Sequence, residues 1–144
     1  MRIQHLCHST YQHQYHIVWG TRYRRHFLKP ENVKKVLLAT LRKSVEKYPT
    51  LTIDLMNTDL DHVHLQIEIP PNLSVAVVVK TLKAISSIEL KKKFKFIREM
   101  YIDGSIWSVG YFSSTIGLNE KQIAKYIEWQ GKHDLPQELD LGFS

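Results

Sequence analysis

From His62 to Ile69 the chain reads His-Val-His-Leu-Gln-Ile-Glu-Ile, polar and apolar in strict alternation. Successive side chains of a strand point to opposite faces, so this period suits a half-buried strand and does not suit a helix. Val63, Leu65, Ile67 and Ile69 would enter a core, while His62, His64, Gln66 and Glu68 would line the other face. Pro70-Pro71 ends the run. A fold for this chain therefore needs a sheet with one face covered and a row of histidine, amide and carboxylate on the other.

The remaining patterns supply the partners of that strand. Tyr11 to Trp19 is aromatic and β-branched, with Tyr15, Ile17 and Trp19 on one face, and reads as a first strand. Thr21 to Phe27 is a basic loop. After Pro30, Glu31 to Tyr48 carries Val33, Val36, Leu37, Leu41 and Val45 at helical spacing, and Pro49 stops the helix. Leu51 to Met56 alternates as a second strand, and Asn57 to Asp61 supplies turn residues. Ser74 is a fitting N-cap for a helix reaching Phe94. Ile106 to Ile116 forms a fourth strand bent at Gly110; Asn119 caps a last helix reaching Gln130, and Gly131 stops it. The order βαββαβ plus a helix is α+β and ferredoxin-like: an antiparallel four-stranded sheet with two helices on one face and a C-terminal helix free to cover the other. With no internal repeat or linker, the 144 residues read as one domain, a core at 11–132 and an acidic tail at 133–144.

Charge narrows the partner. All 20 Lys and Arg residues lie in 1–132 with 11 of the 14 acidic ones, an excess of nine positive charges there. Arg22 to Lys47 and Lys80 to Arg98 hold most of it, which suits a polyanion whose counterions are released on binding, although basic residues also coat solvated helices. The lone Cys7 fits a reducing cytoplasm, and no stretch is long and apolar enough for a membrane span. The expected protein is cytoplasmic, with no membrane partner.

His62 and His64 lie at i and i+2 on one face, about 6–7 Å apart at Cα, from where two imidazoles can converge on a divalent ion. Alone, the pattern also describes a wet strand face. In the last helix Ile123, Tyr126, Ile127 and Gln130 form an i, i+3, i+4, i+7 stripe. It is either a buried stripe or a device that sets an amide oxygen one turn from a phenol. Over the histidine face, that helix would join His62, His64 and Gln130 around one ion with Tyr126 beside it.

These segments, in order, resemble the single-tyrosine HUH transposases of the insertion-sequence 200/605 type, within the REP-associated tyrosine transposase-like superfamily. The resemblance runs through Tyr15-His16-Ile17-Val18-Trp19, Arg22-Tyr23-Arg24-Arg25 and Asp61-His62-Val63-His64-Leu65. It continues through Ile69-Pro70-Pro71, Ser74-Val75, Val78-Val79-Lys80, Leu82-Lys83 and Ser86-Ser87. It ends with Trp107-Ser108, Gly110-Tyr111-Phe112, Ser114-Thr115-Ile116-Gly117 and Tyr126-Ile127 with Gln130. Ala84-Ile85 departs from it, standing where many members have a small residue and then a basic one.

The resemblance implies a homodimeric, metal-dependent enzyme that cleaves and rejoins single-stranded DNA at hairpin-marked element ends through a 5′-phosphotyrosine. It implies Tyr126 as nucleophile and His62, His64 and Gln130 as ligands of Mg2+ or Mn2+, with active sites shared between subunits. Arg22, Tyr23, Arg24, Arg25, Lys80 and Lys83 are the expected DNA contacts, since arginine reads phosphates and base edges and tyrosine stacks on unpaired bases. Gln66 and Glu68 are expected as solvated strand positions, and Asp61, on the other side of the alternation, is a possible orienter of a histidine ring but not the expected one. Trp107 and Trp129 are expected in the core or an interface. Three other readings compete. One is a non-catalytic ferredoxin-like nucleic-acid-binding protein, and another a repeat-hairpin processing HUH nuclease. The third, a metal-independent phosphoesterase with paired histidines, is disfavoured because it lacks a second His-x-Thr motif.

Overall fold

The computed structural model describes residues 14–48, 50–115 and 125–130, with the backbone of 4–6 and 9–11. Pro49, Asn119, Gly131 and the tail 133–144 lie outside the described residues. The N-terminal hairpin, β1 (Gln4–Leu6) and β2 (Ser9–Tyr11), forms a two-stranded antiparallel sheet of its own. Of the expected first strand, Tyr11 ends β2 and residues 14–19 lie in β3 (Gln14–Gly20), with residues 12 and 13 outside the described residues. Strand β3 is followed by α1 (Glu31–Val45), β4 (Thr52–Thr58), β5 (His62–Glu68) and α2 (Val75–Lys93). A short helix that the patterns did not suggest, α3 (Lys95–Met100), precedes β6 (Phe112–Thr115). Residues 125–130 are helical, here α4.

The main sheet has the order β4-β5-β3-β6, antiparallel throughout, which is the ferredoxin-like arrangement the element order required. Ile17 and Trp19 of β3 and Val63, Leu65 and Ile67 of β5 share one core with Val33, Leu37 and Leu41 of α1 and Val79, Leu82 and Leu90 of α2. Most of these are fully buried, and each such side chain stabilises the fold by about 1.5–3 kcal/mol relative to exposure. Pro30 is the N-cap of α1, which begins at Glu31 as expected, and Ser74 caps α2 by accepting from the Val77 backbone N–H at 3.4 Å.

Two strands depart from simple alternation. In β4 the register shifts between Ile53 and Leu55, so Asp54 is extra, Met56 turns inward opposite Leu65, and Leu55 turns outward opposite Gln66 with 55% of its surface exposed. The segment expected as one strand from Ile106 is interrupted. Trp107 makes an isolated bridge with Thr21, Gly110 takes φ +89°, and pairing resumes at Phe112. Only glycine adopts that backbone at little cost. The segment is anchored from beneath by Phe27, whose ring packs on Tyr101 at 5.7 Å and on Trp107 at 5.6 Å. Trp107 is therefore a core residue, and Trp129 is half exposed.

Candidate active site

The turn between β4 and β5 sets the histidines. The Asp59 backbone N–H donates to the His62 carbonyl at 3.1 Å, and Asp59 Oδ1 accepts from the Asp61 N–H at 3.2 Å. Aspartate favours such turns because its side chain accepts from the backbone two residues on. The Thr21 N–H, just past β3, donates to the Asp61 carbonyl at 2.9 Å and fastens the turn to the neighbouring strand.

His62 leaves this turn buried, 1% exposed. Its Nδ1 lies 2.7 Å from Asp61 Oδ1, and its Nε2 lies 2.6 Å from Gln130 Oε1. A carboxylate only accepts, so Nδ1 carries hydrogen and Nε2 is the nitrogen offered to Gln130. A ring nitrogen and an amide oxygen facing one another this closely need a proton or a cation between them, and that donor pair fits a divalent ion. Against the expectation, Asp61 does reach a histidine ring. Asp61 lies in the turn, before the alternation of β5 begins, and its side chain is free to reach back to its neighbour.

Gln130 is oriented from the opposite side. Its Nε2 donates to Ser108 Oγ, and Ser108 Oγ and N–H both reach the Gly20 carbonyl, at 3.2 and 3.0 Å. Amide nitrogen on Ser108 and amide oxygen on His62 use both ends of the side chain, which is 1% exposed. Tyr126, one turn earlier on the same helix, is 8% exposed and packs its ring on Phe112 at 5.7 Å and on Trp129 at 6.3 Å. The last helix thus lies over the histidine face, where Gly20 pairs with His62 and Phe112 with Val18.

His64 is held less tightly. It is about one-fifth exposed, its Nε2 is 3.4 Å from Asp59 Oδ2, and its ring meets His16 edge-on at 6.1 Å. Among the described residues no hydrogen bond joins it to Gln130. Burial would raise the Asp59 carboxyl, but hydrogen bonds from His64 and the Asp61 backbone, with the pull of both histidines, hold it down at about 2. Burial, and then His64, lower the His16 ring from its ordinary value. His16, His64, Gln66, Leu55 and Asp59 border an open cleft of about 200 Å3. Glu68, expected in solvent, is buried at 2% exposure. Asp59, Asp61 and His62 also bring one donor atom each within 4.8 Å of one another. Asp59, Ser108 and Gly20 are members of the site that sequence reasoning missed, and only Asp59, a turn aspartate close to a histidine strand, carried a local signal.

The expected DNA contacts fall into two groups. Arg22, Tyr23 and Arg24 form a 3-10 turn in which Tyr23 and Arg24 have φ of 61° and 54°. Arg22 donates to the Asp103 carbonyl and Arg25 to the Met100 carbonyl, both at 2.8 Å, with Tyr23 under both guanidinium groups. Arg24 reaches Asp61 Oδ2 at 3.3 Å. Lys83 Nζ donates to the carbonyls of Ser108 at 2.7 Å and Gly110 at 2.8 Å, whereas Lys80 is exposed beside Trp107, Val109 and Tyr111. Among the described residues no helix is long and apolar enough to cross a membrane.

Comparison with known proteins agrees with this architecture. Residues 9–130 match the family described as "Transposase IS200 like". The transposase for insertion sequence element IS200 of Salmonella typhimurium is 33% identical over 129 residues, 90% of this chain and 84% of that protein. The ISDra2 transposase TnpA of Deinococcus radiodurans is 30% identical over 125 residues, 86% of each chain. Two solved structures share the fold. One is a candidate transposase from Deinococcus radiodurans R1, with a TM-score of 0.78, 22% identity, and coverage of 92% of this chain and 99% of the other. The second is a REP-associated tyrosine transposase bound to a REP hairpin, with a TM-score of 0.52, 14% identity, and coverage of 87% and 70%. The chain belongs to the IS200-like transposase family, and it is a DNA transposase.

Proposed function

We propose that this transposase cleaves and rejoins single-stranded DNA at hairpin-marked element ends, with Tyr126 as nucleophile and a Mg2+ or Mn2+ ion held by His62, His64 and Gln130. The observation that carries the proposal is the meeting of His62 Nε2 with Gln130 Oε1, one helical turn from Tyr126. When bound, the ion would polarise the scissile phosphate and offset charge growing on its oxygens. Tyr126 Oη would attack phosphorus, forming a phosphotyrosine ester as the bond to the 3′ oxygen breaks. The phenol loses its proton and the departing 3′ oxygen gains one, so the step is neutral in protons. A 3′-hydroxyl attacking that ester reverses the sequence, restores the phenol and conserves the energy of the phosphodiester.

Hairpin DNA is the ligand of the REP-associated neighbour that shares this fold. The residues proposed to serve that binding are Arg22, Tyr23, Arg24, Arg25, Lys80 and Lys83. Of these, Arg24 and Lys80 are exposed for phosphate, and Lys83 acts through the loop its ammonium holds. We further propose a homodimer in which the helix bearing Tyr126 completes a site across the interface. Here it lies against the His62 of its own chain.

Labelled single-stranded hairpin DNA incubated with the protein and Mn2+ should give a covalent adduct on a denaturing gel, and Tyr126→Phe should abolish it. An adduct that persists in Tyr126→Phe would sink the proposal. A mass measurement in solution tests the dimer, and a monomer that cleaves alone contradicts the shared site.

A further inference from the structure

Asp61 stands between two groups with different tasks. One carboxylate oxygen, Oδ1, is 2.7 Å from His62 Nδ1; the other, Oδ2, is 3.3 Å from Arg24 Nε. The carboxylate is 13% exposed, and the Arg24 side chain 43%. Its backbone is pinned as well, by the bond from the Thr21 N–H to its carbonyl. Neither rotation of the carboxylate nor drift of the turn is free.

The route by which Arg24 arrives is costly to the backbone. Two consecutive non-glycine residues, Tyr23 and Arg24, occupy the left-handed region, which crowds Cβ against the carbonyl. Local bonds hold them there: Arg24 N–H to the Thr21 carbonyl at 3.1 Å, Thr21 Oγ1 to the Arg25 carbonyl at 2.8 Å, and Tyr101 Oη to the Arg22 carbonyl at 2.6 Å. Strained backbone held in this way usually serves a site. Here it delivers a guanidinium to the second oxygen of the carboxylate that orients His62.

We infer that Asp61 is a positioning residue for the metal ligand His62, fixing its ring with Nε2 toward Gln130, and that Arg24 fixes Asp61 in turn. The inference rests on the reading of His62 as a ligand. An imidazole that binds through one nitrogen needs the other held by an acceptor, because otherwise the ring samples both tautomers and both orientations. Arg24 also belongs to the basic turn proposed to meet DNA, so the substrate-facing loop and the ligand shell share one carboxylate.

The test uses the full chain. In metal-free protein labelled with 15N-histidine, with His62 assigned from a His62→Gln spectrum, the wild type should show the pattern of a ring whose Nδ1 carries hydrogen. Asp61→Ala should shift that pattern and weaken Mn2+ binding, followed by the electron paramagnetic resonance of free Mn2+, by about 10–100-fold. Asp61→Asn retains one acceptor oxygen and the volume. It should keep more of the wild-type pattern and lose less affinity, a graded response that unfolding does not give. Arg24→Gln should lie between the wild type and Asp61→Ala. A His62 pattern unchanged in Asp61→Ala, or Mn2+ affinity within twofold of wild type, overturns the inference. A wild type that binds no Mn2+ overturns the metal reading instead, and the ring pattern alone then decides the role of Asp61.

Discussion

A Cβ placed on Gly20 would lie 2.8 Å from the side-chain Cδ of Gln130 and closer still to both heteroatoms of its amide. Gly20 is a paired strand residue opposite His62, without the positive φ that would itself demand glycine. The demand comes from the neighbour: only a hydrogen leaves room for the amide to reach both His62 and Ser108. Gly20→Ala should therefore displace Gln130, weaken Mn2+ binding by about tenfold or more, and cost about 1–3 kcal/mol by overpacking. In a Gln130→Ala background the same substitution should cost almost nothing, because the clashing partner is gone. Urea denaturation of the four proteins closes the cycle, and an equal penalty in both backgrounds would contradict the proposed seat.

Bound cation should stabilise the fold, since His62 and Gln130 come from elements far apart in sequence and converge only in the folded chain. At a Mn2+ concentration a hundredfold above Kd the stabilisation is about 2.7 kcal/mol, or roughly 5–10 °C in Tm for a chain of this size. Excess chelator should reverse it, and His62→Gln should remove most of the response. A melting temperature indifferent to Mn2+ and chelator would count against the ligand set.

Much of this was legible in the sequence because periodicity is a local property. The run from His62 to Ile69 predicts strand, face and core membership, and Leu65 and Ile67 are fully buried as its alternation requires. The bulge at Asp54 was not legible, because an extra residue leaves composition unchanged and only the partner strand reveals the skipped pairing. Asp61 was misjudged for a related reason: alternation governs a strand, and Asp61 belongs to the turn before it. Ser108 and Gly20 carry no chemistry of their own, and their importance comes from Gln130, far along the chain. The pairing of His62 with Gln130 followed from helical and strand spacing combined with the family resemblance.

Ser86 supplies a structural test beneath the site. Its Oγ accepts from the buried Trp107 Nε1 at 2.9 Å and donates to the Leu82 carbonyl at 2.7 Å, while Ser87 Oγ accepts from the Ile106 N–H at 3.2 Å. The paired serines of α2 thus hold the segment that leads to Ser108. Ser86→Ala would leave the Trp107 N–H without its acceptor at about 1–3 kcal/mol. Trp107→Phe removes that donor, so the double variant should be less destabilised than the sum of the two singles. Strict additivity in denaturant melts would show that the hydrogen bond contributes nothing.

Lys80 and Lys83, one turn apart on α2, should separate under salt. Lys80 is exposed, whereas the Lys83 ammonium donates to the carbonyls of Ser108 and Gly110, the loop on which Gln130 leans. Each neutralised phosphate on a single strand contributes about 0.7 to the slope of log affinity against log salt. Lys80→Ala should lower that slope by about this amount and leave Tm unchanged. Lys83→Met should keep a slope near wild type and lose about 1.5–3 kcal/mol of stability, the usual range for hydrogen bonds to a charged group. It should also weaken Mn2+ binding, because Ser108 is then less firmly placed to orient Gln130. Fluorescence anisotropy across a salt series, paired with thermal melts, reads both variants. A reduced slope in Lys83→Met with unchanged stability would make Lys83 a direct phosphate contact instead of the support of the loop.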